Sequence, residues 1–397
     1  MNIVIIHTDF RIYWPFRLVN FYNFLEKKKI KLTVIEIAGM GSPYSFNKSN
    51  NPTNDYWMIL FPDKKIEDLD SSTIKKRMFD KLDEIKPDVI IAGAIAFFSG
   101  AIATNWAVKN NKKLIIFDDA KLENVKRNFI VDRIKKNIYK NVNAIFCPAP
   151  DWDNTFKYFG FENEQIFYGV NVVDNNFWAN KSADFIEIEL PEKFILSVGR
   201  MIPKKNYFYL IAAYKEYISK TENPLALVIV GDGPEKNKIN EFIKNEGLDS
   251  VYSFPFQSQE RLRTFYYKAS YFVLASKYIE TWGLVVNEAM AAGLPVLLSN
   301  KVGCSTTLIV EGKNGYLFSP TNQNELTDIL IKLHSFTDHQ LQEMGKYSKK
   351  VIENWDINRF NSGLYDAIKF VLNNNFSNRT FVSRNIAKLW KGRYRPV

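Results

Sequence analysis

Short apolar runs alternate with longer segments of helical period, and the whole alternation restarts halfway along the chain. Asn2 to His7, Lys31 to Ile37, Asp88 to Ala92, Lys113 to Phe117 and Ala144 to Cys147 have the length and β-branched content of strands. Between them lie amphipathic stretches such as Trp14 to Lys28 and Leu122 to Tyr139. A second set follows: Phe194 to Val198, Leu225 to Val230, Val251 to Phe254, Tyr271 to Leu274 and Pro295 to Leu298. Strand, helix, strand in repetition forces parallel pairing with helices on both sheet faces, because a parallel connection needs a crossover. The expected fold is therefore α/β, with two doubly wound Rossmann-like domains, residues 1–172 and 173–372, hinged near Gly169 to Trp178. Such sheets bind ligands beyond the carboxyl ends of their strands, so the expectation places the active site in an interdomain cleft. After the Asn-rich stretch from Asn373 to Asn378, residues 373–397 are expected to return to the first domain.

Composition narrows the chemistry. With 46% hydrophobic and 24% charged residues, the chain is globular rather than disordered. Two cysteines, Cys147 and Cys304, form no C-x-x-C motif, and three histidines are too few for a multi-histidine metal centre. The first twenty residues contain Asp9, Arg11 and Arg17 and no small-residue cleavage pattern, which points to a cytoplasmic chain. Val89 to Val108 carries no charge, and ~20 apolar residues would cross a bilayer. Gly93 and Gly100 interrupt it, however, and Ser99, Thr104 and Asn105 are polar, so it reads as strand, loop and buried helix.

The formal net charge is +10, and its distribution matters more than its size. Arg379, Arg384, Lys388, Lys391, Arg393 and Arg395 follow Asn378 with no acid among them, interleaved with Phe381, Ile386, Leu389, Trp390 and Tyr394. A basic strip with apolar anchors suits docking on the first domain or contact with an anionic membrane surface at its inner face, and both readings stand. No nucleic-acid motif accompanies the charge, so no nucleic-acid partner is expected.

The segment that bears most on chemistry is Glu280 to Pro295. A strand ending at Leu274 is followed by a loop, a helix starting near Gly283, and a stop at Gly293 and Pro295. The helix N-terminus presents unpaired N–H groups and a positive dipole end, both suited to a phosphate, and Gly283 allows close backbone approach. Glu288 lies on the order of 9–12 Å beyond Glu280 at ~1.5 Å rise per residue, the separation at which two diols flank the diphosphate of a nucleotide sugar. Cations must accompany two carboxylates near a diphosphate. Gly199-Arg200 ends the second domain's first strand, and Lys205 follows before a helix. Gly231-Asp232-Gly233-Pro234 makes a further turn whose glycines permit backbone beside a ligand.

Ser197 to Arg200 with Lys205, the Val230 to Pro234 turn, the Glu280 and Glu288 pair, and the segment from Pro295 through Gly303 to Tyr316 together resemble the retaining GT-B glycosyltransferases of family 4, the glycosyl transferases group 1. The resemblance covers about Phe194 to Pro320, and Gly169 to Phe177 looks like the family's interdomain segment. It implies a retaining, metal-independent glycosyltransferase with an N-terminal acceptor domain and a C-terminal donor domain. The resemblance further implies a UDP- or GDP-sugar as co-substrate and a glycan or lipid-linked acceptor, in cell-surface polysaccharide or glycolipid synthesis. By the likeness, Glu288 holds the donor ribose, Glu280 the transferred sugar, and Arg200 and Lys205 the diphosphate. The amides of Trp282, Gly283 and Leu284 assist, and Gly199, Gly231 and Gly233 belong to the donor-binding loops. The chain departs from the family's pattern at His7 to Pro15, where a glycine pair is usual, and at Phe254-Pro255-Phe256-Gln257, where a glycine is common. It departs again at Asp118-Asp119, where many relatives have a histidine near the acceptor; either aspartate is a candidate acceptor contact.

Other signals weigh less. Asp151-Trp152-Asp153 has the D-x-D form of a metal site but follows Pro148-Ala149-Pro150 and suits a short helix start. His7 ends the first strand and either meets an acceptor hydroxyl or is structural. Cys304 has no neighbour that would activate it, and reads as a packed thiol. The alternatives to a glycosyltransferase are another GT-B enzyme such as a nucleotide-sugar epimerase, or a non-catalytic basic module binding anionic lipid.

Overall fold

The computed structural model describes residues 1–10, 12–40, 54–124, 128–180, 186–278, 280–374 and 378–392. Of the tail, Arg393, Tyr394 and Arg395 lie outside these, as does Arg11. The chain divides into two compact units, one built from Met1–Val172 with Ile357–Val397 and the other from Val173–Asp356.

The first unit runs β1 (Asn2–His7), α1 (Trp14–Glu26), β2 (Lys31–Ala38), β3 (Trp57–Phe61), α2 (Ser71–Ile85), β4 (Val89–Ala92), α3 (Phe98–Lys109), β5 (Lys113–Phe117), α4 (Phe129–Tyr139), β6 (Ala144–Cys147), α5 (Asp153–Tyr158) and β7 (Ile166–Tyr168). The second runs α6 (Asn175–Ala179), β8 (Phe194–Val198), α7 (Tyr207–Ser219), β9 (Ala226–Val230), α8 (Lys236–Asn245), β10 (Val251–Phe254), α9 (Gln259–Lys268), β11 (Tyr271–Leu274), α10 (Leu284–Ala292), β12 (Val296–Ser299), α11 (Ser305–Leu308), β13 (Gly315–Phe318), α12 (Gln323–His334) and α13 (Asp338–Ile352). Helices α14 (Ile357–Asn373) and α15 (Phe381–Leu389) complete the first unit.

Both sheets are parallel, in the orders β3-β2-β1-β4-β5-β6-β7 and β10-β9-β8-β11-β12-β13. The strand order reverses direction beside β1 in one sheet and beside β8 in the other, which opens a crevice where β1 and β4, or β8 and β11, finish. This topology decides where the sites lie.

Val89 to Val108 is strand β4, a loop and helix α3, buried from Ser99 to Val108. No helix among the described residues is long and apolar enough to cross a membrane. One expectation fails. Residues 357–372 belong to the first unit, because α14 lays Phe360, Leu364, Ile368 and Val371 into the same core as Ile5, Phe21, Ile91 and Phe146. Phe360 meets Phe146 edge-on at 5.5 Å and Phe21 at 6.0 Å. Burying four large apolar side chains stabilises that placement by several kcal/mol, at ~1.5–3 kcal/mol each. The second core gathers Ile195, Ile229, Val273 and Leu297 from the strands against Tyr207, Tyr214 and Tyr217 of α7.

Candidate functional site

In the second unit the crevice at the ends of β8 and β11 brings together residues far apart in sequence. The turn after β8 carries Gly199, Arg200 and Lys205, and the segment after β11 carries Ser276 and Glu280. Lys205 Nζ lies 2.6 Å and 2.8 Å from the two carboxylate oxygens of Glu280, and Ser276 Oγ donates to Glu280 Oε2 at 2.6 Å. Lys205 and Glu280 are only 8% and 15% exposed. Burial pushes the Glu280 carboxyl up, but the Lys205 charge and the hydrogen bonds from Lys205 and Ser276 outweigh it and hold the group below its ordinary value. Lys205 and Glu280, expected to take different parts of a ligand, are thus paired with each other. A backbone frame holds the clamp: Glu280 N–H donates to Lys301 O at 2.9 Å, and Lys277 N–H to Lys204 O at 2.8 Å.

Helix α10 starts directly after this segment. Its N-cap, Gly283, has φ 98° and no side-chain cap, so the amides of its first turn face the loop without a capping oxygen. Trp282 is buried and donates from Nε1 to Asn287 Oδ1 at 2.8 Å, while Cys304 N–H donates to Trp282 O at 3.1 Å, fixing the helix entry. Glu288, in the second turn, is 2% exposed and accepts from the Tyr266 hydroxyl at 2.8 Å.

The glycines after β8 and β9 have a structural reason of their own. A Cβ on Gly231 would sit 1.9 Å from Gly199 O, and one on Gly233 would sit 2.4 Å from Met201 O. The two loops touch backbone to backbone, with Met201 N–H donating to Asp232 O at 2.8 Å. Asp232 ties the next strand in, accepting from Phe256 N–H at 3.1 Å and Lys236 Nζ at 2.9 Å. Gly231→Ala must push these loops apart, and is expected to lower stability by about 1–3 kcal/mol or more, read by thermal unfolding.

In the first unit the equivalent crevice holds His7, Gly93 and the Asp118-Asp119 pair. His7 packs against Phe10 and Trp14, donates from Nδ1 to Asp9 O at 3.0 Å, and lies where a side chain on Gly93 would be, 2.8 Å from that Cβ position. Burial lowers its pKa below the ordinary value. Asp118 is buried and accepts from the Tyr139 hydroxyl at 2.6 Å and from Ala120 N–H at 3.0 Å. Asp119 is half-buried; burial, then the Asp118 charge, push its carboxyl up to about 6. Asp153 opens α5 and accepts from the Tyr168 hydroxyl at 2.8 Å, and Cys304 is buried. Among the described residues no cluster of three His, Cys, Asp or Glu is placed to hold a metal ion.

Sequence reasoning did not single out Ser276 or Tyr266. Ser276 had a readable signal, a hydroxyl just past a strand end at the switch point; Tyr266 had none, because it sits on a different helix from its partner.

Comparison with known proteins places this geometry. The family model described as glycosyl transferases group 1 matches residues 180–351. An uncharacterized glycosyltransferase of Haemophilus influenzae is 26% identical over 349 residues, covering 85% of this chain and 93% of that protein. The lipopolysaccharide 1,2-N-acetylglucosaminetransferase of Salmonella typhimurium is 31% identical over 174 residues, a match spanning 40% of this chain and 45% of that protein. The structure of Anabaena HepE in complex with UDP superposes with a TM-score of 0.71 at 16% identity, covering 93% of this chain and 100% of that one. Residues 180–351 therefore match the glycosyl transferases group 1 model, and the chain has the GT-B fold.

Proposed function

We propose that the protein is a retaining, family 4-type glycosyltransferase that moves a sugar from a UDP- or GDP-sugar to a glycan or lipid-linked acceptor. It would serve cell-surface polysaccharide or glycolipid synthesis, working in the cytoplasm at the inner face of a membrane. The observation that carries the reading is the Lys205–Glu280–Ser276 clamp at the end of β8 and β11, directly before the uncapped start of α10. The diphosphate lies against the amides of Trp282, Gly283 and Leu284, with Arg200 and Lys205 balancing its charge in place of a metal. Glu280, already oriented by Lys205 and Ser276, takes a hydroxyl of the transferred sugar, and Glu288 takes the ribose diol. Gly199, Gly231 and Gly233 shape the donor loops by keeping their backbones close.

In the reaction the acceptor oxygen bonds to the anomeric carbon on the face the nucleoside diphosphate leaves. The bond from that carbon to the β-phosphate oxygen breaks, and the acceptor proton passes to the departing diphosphate. Charge grows on that diphosphate, so pre-placed cations and amides stabilise the transition state more than the ground state. In the first unit, His7 and Asp119 are the groups suited to an acceptor hydroxyl. An Asp119 carboxyl near 6 changes protonation in the range where such a hydroxyl must be bound.

A thermal-shift series with UDP, GDP and ADP tests the donor side. The correct nucleotide at about 100 times its Kd stabilises by ~2.7 kcal/mol, visible as a rise in melting temperature. Glu288→Ala should abolish the rise, and Tyr266→Phe, which keeps the carboxylate, should preserve it. A wild-type chain that none of the three nucleotides stabilises would overturn the reading. Donor interconversion without an acceptor would point to an epimerase instead.

A further inference from the structure

Three consecutive apolar residues open helix α4 and all face water: Phe129 is 77% exposed, Ile130 67% and Val131 37%. On a helix three successive side chains cannot share one buried face, so such a run marks a surface kept apolar for a partner. Helix α15 repeats the feature on its outer side. It buries Ser383 and Ala387 against the first unit and leaves Phe381 83%, Val382 57% and Leu389 79% exposed.

The two helices are neighbours. Asn141, just past the end of α4, donates from Nδ2 to Ser383 O at 3.0 Å, so α15 begins beside the foot of α4. From there α15 crosses α3, with Asn105 Nδ2 donating to Lys388 O at 2.6 Å, and Trp390 Nε1 closes on Ile95 O at 2.6 Å. Ile95 follows β4, and α4 follows β5, so Leu389 and the α4 crown both lie toward the sheet end that carries His7 and Asp119.

The charges around these apolar tips are predominantly basic. On α15 the exposed Arg384 and Lys388 stand beside Phe381 and Leu389 with no acid on the helix. On α4, Arg133, Lys135 and Lys136 outnumber Asp132. Lys140, Arg379 and Lys391 flank the pair. Large apolar tips that can insert below a headgroup layer, ringed by basic side chains, complement an anionic bilayer.

We infer that the α4 crown and the outer face of α15 form one membrane-docking surface, with an anionic phospholipid bilayer as its occupant. The inference rests on the proposed function insofar as the docked surface would bring the acceptor end of the first unit to a lipid-linked acceptor. The tail thus does both things its sequence allows: one face docks on the first unit and the other meets lipid.

Sedimentation of the full chain with vesicles of phosphatidylcholine, with and without phosphatidylglycerol, tests it. Wild type should bind only the anionic vesicles. Arg384→Gln with Lys388→Gln should weaken binding about 25-fold, at about fivefold per charge near the surface. Phe129→Ser with Ile130→Ser should weaken it at least tenfold, and because these side chains are exposed, the melting temperature should hold. Unchanged vesicle affinity in both variants overturns the surface, as does equal binding to neutral vesicles or preferential capture by duplex DNA. The nucleotide-induced thermal shift of the same variants separates the two readings. Vesicle binding absent in a wild type that still responds to nucleotide sinks the docking surface alone. A wild type that binds vesicles and ignores nucleotides sinks the donor site alone.

Discussion

Replacing Lys205 with Met lowers the melting temperature of the second unit by about 6–20 °C at neutral pH. The figure follows from about 3–5 kcal/mol for stripping the partner from a buried charge, at ~2–4 °C per kcal/mol for a unit of this size. The Glu280 carboxylate would keep Ser276 but lose the two contacts at 2.6 Å and 2.8 Å that make its burial tolerable. The pH dependence carries a sign. In the wild type the folded-state pKa of Glu280 is depressed, so its contribution is fully present above the ordinary 4.5 and is lost as the pH falls through the depressed value. In Lys205→Met, burial loses its largest counterweight, the folded-state pKa of Glu280 moves up, and the variant is relieved as the carboxyl protonates. The gap between wild type and variant should therefore narrow as the pH is taken from 7 toward 4. Adding Glu280→Gln to Lys205→Met removes both charges and should recover much of the lost stability, as replacing a whole buried pair often does, while glycosyl transfer stays lost. A melting temperature unmoved by Lys205→Met at neutral pH would show that the pair is not formed.

That pairing marks the limit of what the sequence makes legible. The strands β1, β8, β9, β11 and β12 are short, mostly apolar and buried runs between turn residues, because both faces of a parallel sheet are covered, whereas the edge strand β10 leaves Tyr252 exposed. Strand β13 is harder to read, since it opens on Gly315; the glycine is there because a Cβ would sit 1.8 Å from Val296 O of the neighbouring strand. Strand β7 has three residues, too few for a period. Helix α14 is plainly amphipathic, but periodicity states that a helix buries one face, not which core receives it, and so Phe360 and Leu364 were assignable only with the packing in view. In the site, Arg200, Lys205, Glu280 and Glu288 could each be named from their places after strands or in a helix. That Lys205 reaches Glu280, 75 positions away, depends on β8 and β11 being neighbours, a fact of strand order. The tail shows the same division: its charge and apolar anchors are readable, while the sorting of Ser383 and Ala387 inward from Phe381 and Leu389 outward is set by the groove it meets.

Arg200→Met is expected to cut the rate of glycosyl transfer by ~10²–10³ while leaving the fold intact, the effect of losing one pre-placed group that meets developing charge. Arg200 is half-buried in the turn after β8, and thermal unfolding of the variant checks that the fold is retained. The measurement is release of nucleoside diphosphate from the donor that the thermal-shift series selects. The split between kcat and KM decides the role. If Arg200 acts on charge that appears only as the sugar departs, kcat falls and KM for the donor scarcely moves; if it holds the ground-state diphosphate, KM rises and kcat survives. Lys205 makes up only part of the loss, because its ammonium is shared with both oxygens of Glu280. Arg200→Lys restores a point charge without the planar fork, so it should recover part of the rate. Full activity in Arg200→Met would remove Arg200 from the machinery and leave the diphosphate to Lys205, already shared with Glu280, and to the start of α10, a partial charge of ~0.5 facing a multiply charged leaving group.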